Sequence, residues 1–148
     1  MTVPRVFMAL VVMASACGGA RVQPAPFDSH ALCASCRMPM SDPTLALQLA
    51  APGEEPAFFD DVVCARQFLQ EAAAPAGSVM FVTDHRTRAW VPAAAAVFTR
   101  SIASDTPMGS HVIAHADAAS RDADPAAAGG RLATANDLFG PQGPPEGR

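Results

Sequence analysis

The side chains most able to do chemistry in this chain are four sulfur donors within eight residues, in the run Cys33-Ala-Ser-Cys36-Arg-Met38-Pro-Met40. Thiols and thioethers are soft ligands, and soft ligands select Cu(I) over hard cations such as Mg²⁺ or Ca²⁺. A third thiol, Cys64, and an isolated thioether, Met108, lie downstream, where folding can return them to the run. The first hypothesis is therefore a Cu(I) site.

The Cys33 and Cys36 pair has three other interpretations. In an exported protein a close pair can be a disulfide. It can also be half of a tetrahedral zinc site, completed by Cys64 and a histidine. A redox pair needs a low-pKa cysteine at a helix start, but Pro39 and Pro43 follow and oppose a helix. Copper is the favoured interpretation, and Cys36 is the better ligand of the two because it adjoins the methionines.

The methionines are ambiguous on chemistry alone, because most methionines fill cores. Met38 and Met40 are two residues apart, so in an extended segment they share a face, and Pro39 stiffens the link between them. Met40 is interpreted as packing. Met108 lies in a Pro-Met-Gly turn that needs no large apolar side chain, so packing and ligation are equally compatible with it.

Asp60 and Asp61 precede a predicted helix and are best interpreted as capping residues. A contact that supports a metal ligand is their functional alternative. Cys64 falls one turn into that helix, where the positive end of the dipole would favour a thiolate. Burial as a small apolar residue is equally compatible with Cys64.

The four histidines show no close paired spacing. His111 and His115 flank a predicted strand and would face one side of it, yet surface or core positions are the default for both. No nucleophile–base pattern, phosphate-binding glycine loop or cofactor motif appears. The sequence thus predicts a protein that is not an enzyme.

The start of the chain has the pattern of an exported lipoprotein. Residues 1–16 combine Arg5, an uncharged and mostly apolar run, and small residues before Cys17. The run is too short to span a bilayer and fits a signal peptide. Cys17 is the expected site of lipidation, and residues 17–30 the lipidated end and flexible tether. One lipidated terminus would hold the folded part at a membrane surface.

Charge excludes one class of partner. Arginine supplies all ten basic side chains against fourteen acidic ones, for a formal net charge of −4. Without a basic patch, nucleic-acid binding is set aside.

Hydrophobic patterning predicts an α+β fold made of two small ββαβ units in tandem, about 31–85 and 86–139. In the first unit, strands are expected at 44–50, 57–59 and 79–83, with a helix from an Asp60 or Asp61 cap to about Ala73. In the second, they are expected at 90–99, 111–114 and 131–134, with a helix over 118–127 that Pro125 shortens. Each unit is too small to bury a core alone. Residues 140–148 are rich in Gly and Pro and are expected to be disordered.

Four segments, in order, resemble the NosL family, lipoproteins that assist copper loading of nitrous-oxide reductase. They are Cys33-Ala-Ser-Cys36-Arg-Met38, Phe59-Asp60-Asp61-Val-Val-Cys64, Val82-Thr-Asp84 with Trp90-Val91, and Thr106-Pro107-Met108-Gly109. The resemblance covers roughly residues 31–139. Arg37 stands where glycine is commoner in the family, and His115 where an apolar aromatic is usual.

The resemblance implies paired ββαβ units, Cu(I) binding through cysteine and methionine, and no catalysis. It favours Met38 and Met108 as ligands beside Cys33 and Cys36. Cys64 and Asp61 are then supporting residues or additional ligands.

The predicted function is that of a periplasmic, lipid-anchored Cu(I) metallochaperone. Its expected partner is nitrous-oxide reductase or the machinery that matures its copper site, and the outer membrane is favoured over the inner one. The alternatives are a thiol–disulfide oxidoreductase that uses Cys33 and Cys36, or a structural lipoprotein in which this pair is a disulfide.

Overall fold

The computed structural model describes residues 21–147. The predicted signal peptide and Cys17 therefore lie outside the described residues. The elements are β1 (Leu47–Ala50), β2 (Ala57–Phe59), α1 (Val62–Glu71), β3 (Val79–Thr83), β4 (Trp90–Pro92), β5 (Val97–Arg100), β6 (Val112–His115), α2 (Ala118–Asp122), a 3-10 helix (Pro125–Ala127), β7 (Arg131–Ala133) and α3 (Ala135–Phe139).

The strands form two antiparallel sheets with the same internal topology. The first has the order β2-β1-β3-β4 and the second the order β6-β5-β7. In each sheet the first strand of a unit pairs with its hairpin partner on one side. On its other side it pairs with the strand that follows the unit's helix. This repeat confirms the predicted α+β fold of two ββαβ units.

The segment between the units divides differently from the prediction. The expected run at 90–99 is two strands, and β4 joins the first sheet by pairing with β3. Residues 93–96 form a turn, in which the Ala95 N–H donates to the Pro92 carbonyl at 3.0 Å. Pro92 has no N–H to donate, so it is tolerated where β4 forms the edge of the sheet. The first sheet is therefore four-stranded.

One hydrophobic core joins the two units. Its fully buried members come from both sheets and include Phe59, Met80 and Phe98. The side chain of Gln48, in β1, is also completely buried, and it exchanges two 2.9 Å hydrogen bonds with the backbone of Ala25. A buried amide needs such partners. The end of the expected tether is therefore held against the first sheet.

The end of the chain adds two features to the expected pattern. Helix α3 starts at a capping box between Thr134 and Asp137 and buries Leu138 and Phe139. Beyond it, the Met80 N–H donates to the Pro145 carbonyl at 2.9 Å, so the segment expected to be disordered lies beside β3. Strand β4 pairs with β3 from Phe81 onward, so the N–H of Met80, one residue earlier, is left to bond with the tail.

Among residues 21–147, no helix has the length and apolar character needed to cross a membrane.

Candidate metal centre

A tight loop at residues 33–38 packs its two cysteines, Cys33 and Cys36, against the core. The Cys33 N–H donates to the Met38 carbonyl at 2.8 Å, and the Arg37 N–H donates to the Cys33 carbonyl at 3.0 Å. Arg37 closes the loop with a φ of 65°. This left-handed conformation costs a residue with a Cβ about 1 kcal/mol, whereas glycine adopts it freely. The loop geometry explains why glycine suits this position.

The loop is attached to β2, which brings it to the start of α1. The Ala34 N–H donates to the carbonyl of Phe58 at 2.8 Å. Asp60 follows β2 directly, and Cys64 is four residues later, in the first turn of α1. Asp61 lies between them as the N-cap of α1, so Asp60 precedes the helix and Cys64 belongs to it.

These segments create a compact set of donors, which we call the thiol cluster: Cys33, Cys36, Asp60 and Cys64. One ligand atom from each residue lies within 4.8 Å of the others. The three cysteines of the described chain are free thiols. The cluster could hold a metal ion.

The cluster is largely enclosed by the fold, and two thioethers on adjoining segments are exposed. Cys33 and Cys64 are almost completely buried, and Cys36 is partly accessible. Met38, at the end of the loop, is 54% exposed, and Met108 is 42% exposed. Sulfur donors are therefore available both in the interior and at the surface.

Two of the three thiols, Cys36 and Cys64, have a raised pKa. Burial raises the pKa of Cys36, and its Sγ donates to an Asp60 carboxylate oxygen at 3.6 Å. Burial raises the pKa of Cys64 as well, and the neighbouring Asp60 raises it further. The expectation of a thiolate at the start of the helix is therefore wrong for Cys64, because desolvation outweighs the helix dipole. A metal ion would have to displace these protons, so the affinity of the cluster for the ion would decrease as the pH decreases.

Asp61 is not a member of the thiol cluster and links two segments. Its Oδ1 accepts from the Val63 N–H at 2.9 Å, which is the predicted N-cap of α1. Its Oδ2 accepts from the N–H groups of Met108 at 3.1 Å and Ser110 at 3.4 Å. Asp61 therefore holds the Thr-Pro-Met-Gly turn against the start of α1.

The structure thus places the predicted site residues in two groups. Cys33, Cys36 and Cys64 share the thiol cluster, while Met38 and Met108 lie at the surface beside its supporting segments. Met40 is buried in the core, in agreement with its interpretation as packing.

The sequence predicts Asp60 as a capping residue or a support for a metal ligand, and not as a ligand itself. Asp60 and Asp61 are adjacent, and only the fold shows which of the two meets the thiols.

Comparison with known proteins identifies the family. The NosL family model matches residues 24–140, which contain the thiol cluster and every helix and strand of the described residues 21–147. Curated proteins and solved structures gave no significant match. NosL proteins have a copper-related accessory role and are not a known class of enzyme. The extent of the match, over most of the chain, shows that this protein belongs to the NosL family.

Proposed function

We propose that this protein is a membrane-anchored Cu(I) carrier on the periplasmic side of a bacterial membrane. It delivers its ion to nitrous-oxide reductase or to the machinery that matures the copper site of that enzyme. The observation that carries the proposal is the thiol cluster, where three cysteine sulfurs converge, with two exposed methionines on the adjoining segments.

The donor chemistry supports Cu(I) as the cargo. Three converging sulfurs are soft ligands that suit a monovalent copper ion. The Asp60 carboxylate is a hard ligand, and its contact with the Cys36 Sγ gives it another role, that of accepting a thiol hydrogen bond. We therefore assign Cys33, Cys36 and Cys64 as the inner ligands and leave Asp60 outside the Cu(I) coordination shell.

Exposure supports transfer over storage. Met38 and Met108 present thioethers to solvent, and a thioether has no proton to lose before it binds a metal. These two side chains can complete the coordination that the inner thiols begin, and they can receive or release the ion on the solvent side. A partner that offers better donors can then remove the ion in steps.

The thiol pKa values weigh against a thiol–disulfide oxidoreductase. Such an enzyme needs a nucleophilic cysteine with a lowered pKa. Here burial raises the pKa of Cys36 and that of Cys64, and Cys33 is completely buried, where no partner disulfide can reach it. This supports a metal carrier that is not an enzyme.

The position of Ala25 supports a location close to the membrane. Gln48 anchors Ala25 to the first sheet, and residues 18–24 separate Ala25 from the proposed lipidated Cys17. At full extension that connection reaches about 28 Å. A lipid on Cys17 would therefore keep the folded domain near the bilayer surface, within reach of a membrane-associated partner.

Titration of the reduced protein with Cu(I) against a competing chelator tests the site. We use the Cys17→Ser chain, so that the thiols of the cluster are the remaining ones. We expect one tightly bound Cu(I) per chain. Cys36→Ser, Met38→Leu and Met108→Leu should each weaken binding at least tenfold, or about 1.4 kcal/mol.

Met40→Leu is the matched control, because it makes the same chemical change at a buried methionine of the same segment. Its Cu(I) affinity should match that of the parent. Transfer is then measured by mixing the Cu(I)-loaded protein with copper-free nitrous-oxide reductase and following copper in each protein. Binding no stronger than the chelator background would end the carrier hypothesis, and tight binding without transfer would remove the proposed client.

A further inference from the structure

A second group of metal-binding side chains converges outside the thiol cluster, and we call it the His/Asp cluster. His85 follows β3, His115 ends β6, and Asp124 lies between α2 and the 3-10 helix. The Asp124 Oδ2 is 2.7 Å from the His85 Nδ1 and 2.9 Å from the His115 Nε2. One ligand atom from each residue lies within 4.8 Å of the other two.

Hydrogen bonds to residues outside the cluster hold His85 and Asp124 in place. The His85 N–H donates to the Ala114 carbonyl at 2.8 Å, which ties the end of β3 to β6. The Asp124 Oδ1 accepts from the Ala126 N–H at 2.9 Å and caps the 3-10 helix. The Oδ2 is therefore the oxygen that remains directed at both imidazoles.

Hydrogen bonding within the described chain leaves this cluster incomplete. His115 is fully buried and Asp124 nearly so, whereas the His85 side chain is 23% exposed. The His115 Nδ1 has no hydrogen-bond partner among the described residues. The partial exposure of His85 leaves an approach from solvent.

We propose that His85, His115 and Asp124 bind a divalent cation of the Zn²⁺ type, with a fourth position open to solvent beside His85. Two imidazoles and one carboxylate are a common three-residue ligand set for zinc. Nitrogen and oxygen donors favour a divalent ion, whereas sulfur donors favour Cu(I), so the two clusters would select different metals. They share no residue.

The present geometry needs a small adjustment to accept the ion. Zinc bonds of about 2.0 to 2.1 Å place tetrahedral ligand atoms about 3.3 Å apart. The Asp124 Oδ2 would therefore move back from each imidazole by roughly half an ångström as the ion replaces two hydrogen bonds. To bind the metal through Nε2, a neutral His115 must carry its proton on Nδ1. The Nδ1 atom has no hydrogen-bond partner among the described residues, so it is free to take that proton.

Zinc titration of a thiol-free chain tests the site directly. The variant carries serine in place of Cys17, Cys33, Cys36 and Cys64, and Zn²⁺ is titrated against a zinc-binding dye. We expect one Zn²⁺ per chain, and at least tenfold weaker binding in the same chain with His85→Ala or Asp124→Asn. His30→Ala, which removes an imidazole outside the cluster, is the matched control and should bind like its parent.

A second measurement keeps the test decisive if the thiol-free chain does not fold. Co²⁺ is added to the Cys17→Ser chain, in which the thiol cluster is intact. His85→Ala should remove the visible d–d bands of a nitrogen and oxygen site and preserve the near-ultraviolet thiolate-to-cobalt bands. Cobalt spectra that His85→Ala leaves unchanged, or zinc binding that is equal in all variants, would overturn the proposal.

The test is independent of the copper proposal. His85→Ala should leave Cu(I) affinity unchanged, and Cys36→Ser should leave the second metal in place. Loss of both metals on either substitution would show that the two clusters are not separate sites.

Discussion

At the scale of single residues, two adjacent carboxylates serve different parts of the structure. Asp60 contacts the Cys36 Sγ, and Asp61 accepts from the backbone of α1 and of the Met108 turn. Their side chains diverge because the chain changes from strand to helix between them, and Asp61 has the extended backbone typical of an N-cap. Asp60 therefore affects the protonation of the thiols, and Asp61 holds the backbone of Met108 in position.

Asp60→Asn should separate the affinities for copper and zinc. The substitution removes a hard ligand and the negative charge that raises the pKa of Cys64. We expect Cu(I) affinity to stay within threefold of the parent value or to increase, and Zn²⁺ affinity at the thiol cluster to fall at least tenfold. Both are measured by chelator competition in a His85→Ala background.

Asp105→Asn, at an exposed carboxylate, is the control and should change neither affinity. A tenfold loss of Cu(I) affinity in Asp60→Asn would instead make the carboxylate a copper ligand. The cluster would then be better described as a site for a divalent metal.

At the scale of elements, the start of α1 is where the components of the copper proposal meet. The loop at residues 33–38 is bonded to β2, which leads directly into the helix. The turn containing Met108 comes from the second unit and is bonded to the helix cap. The cap therefore joins one unit to the other at the proposed site.

Asp61→Asn should test that junction. Asparagine caps a helix as well as aspartate, but it has one acceptor oxygen where Asp61 uses two. The Met108 and Ser110 N–H groups would lose their acceptor. We expect a loss of about 1 to 2 kcal/mol in the free energy of unfolding, with Cu(I) affinity at least threefold weaker.

Asp117→Asn is the matched control, because Asp117 caps α2 and accepts from Ser120 through one oxygen. It should cost less than about 0.5 kcal/mol. Urea unfolding followed by Trp90 fluorescence measures both variants. Equal effects of the two substitutions would mean that Asp61 is a helix cap and does not position Met108.

At the scale of the whole molecule, buried carboxylates connect the two sheets. The Asp84 Oδ2 accepts from the Ala116 N–H at 2.8 Å, so the chain after β3 is bonded to the chain after β6. Burial raises the pKa of Asp84, but hydrogen bonds from Ala116, Ser120 and Thr87 outweigh it and hold that pKa far below its ordinary value. In the same way, bonds from His115, His85 and Ala126 outweigh burial and lower the pKa of Asp124 to about 2.

Acid should therefore destabilise the fold by weakening this connection. A carboxyl whose pKa is lower in the folded state stabilises the protein above its unfolded value, here 3.8, and that stability is lost as pH falls toward the folded value. We expect the free energy of unfolding to drop between about pH 4 and pH 2. Urea unfolding across this range measures the slope.

Asp84→Asn should lower stability at neutral pH and flatten the slope in acid, because asparagine does not titrate. Asp122→Asn, at an exposed carboxylate of α2, should leave the slope unchanged. The same slope in Asp84→Asn and in the parent would show that other carboxyls govern acid unfolding.

Much of the fold followed from local signals, whereas part of the thiol cluster and of the His/Asp cluster did not. The Asp61 and Asp117 caps, the breaks at Gly and Pro, and the alternating strands are short-range features, and they predicted the repeated ββαβ order. Met108 was proposed as a ligand from its turn and its family motif, but its bond to Asp61 spans 47 residues. The His/Asp cluster was missed because His85, His115 and Asp124 are separated in the chain and meet after β3 and β6 come together.

The sequence by itself determined the ββαβ order of the elements, the soft donors of the loop at residues 33–38 and the resemblance to the NosL family. These depend on dihedral preferences, capping and ligand chemistry, all of which act over a few residues. Tertiary structure alone decided that β4 joins the first sheet and that the tail lies beside β3. It also decided that thiols from two segments share one cluster and that Asp124 meets two histidines. Such contacts depend on which edges and faces remain available once the core has packed, and no short stretch of sequence specifies that.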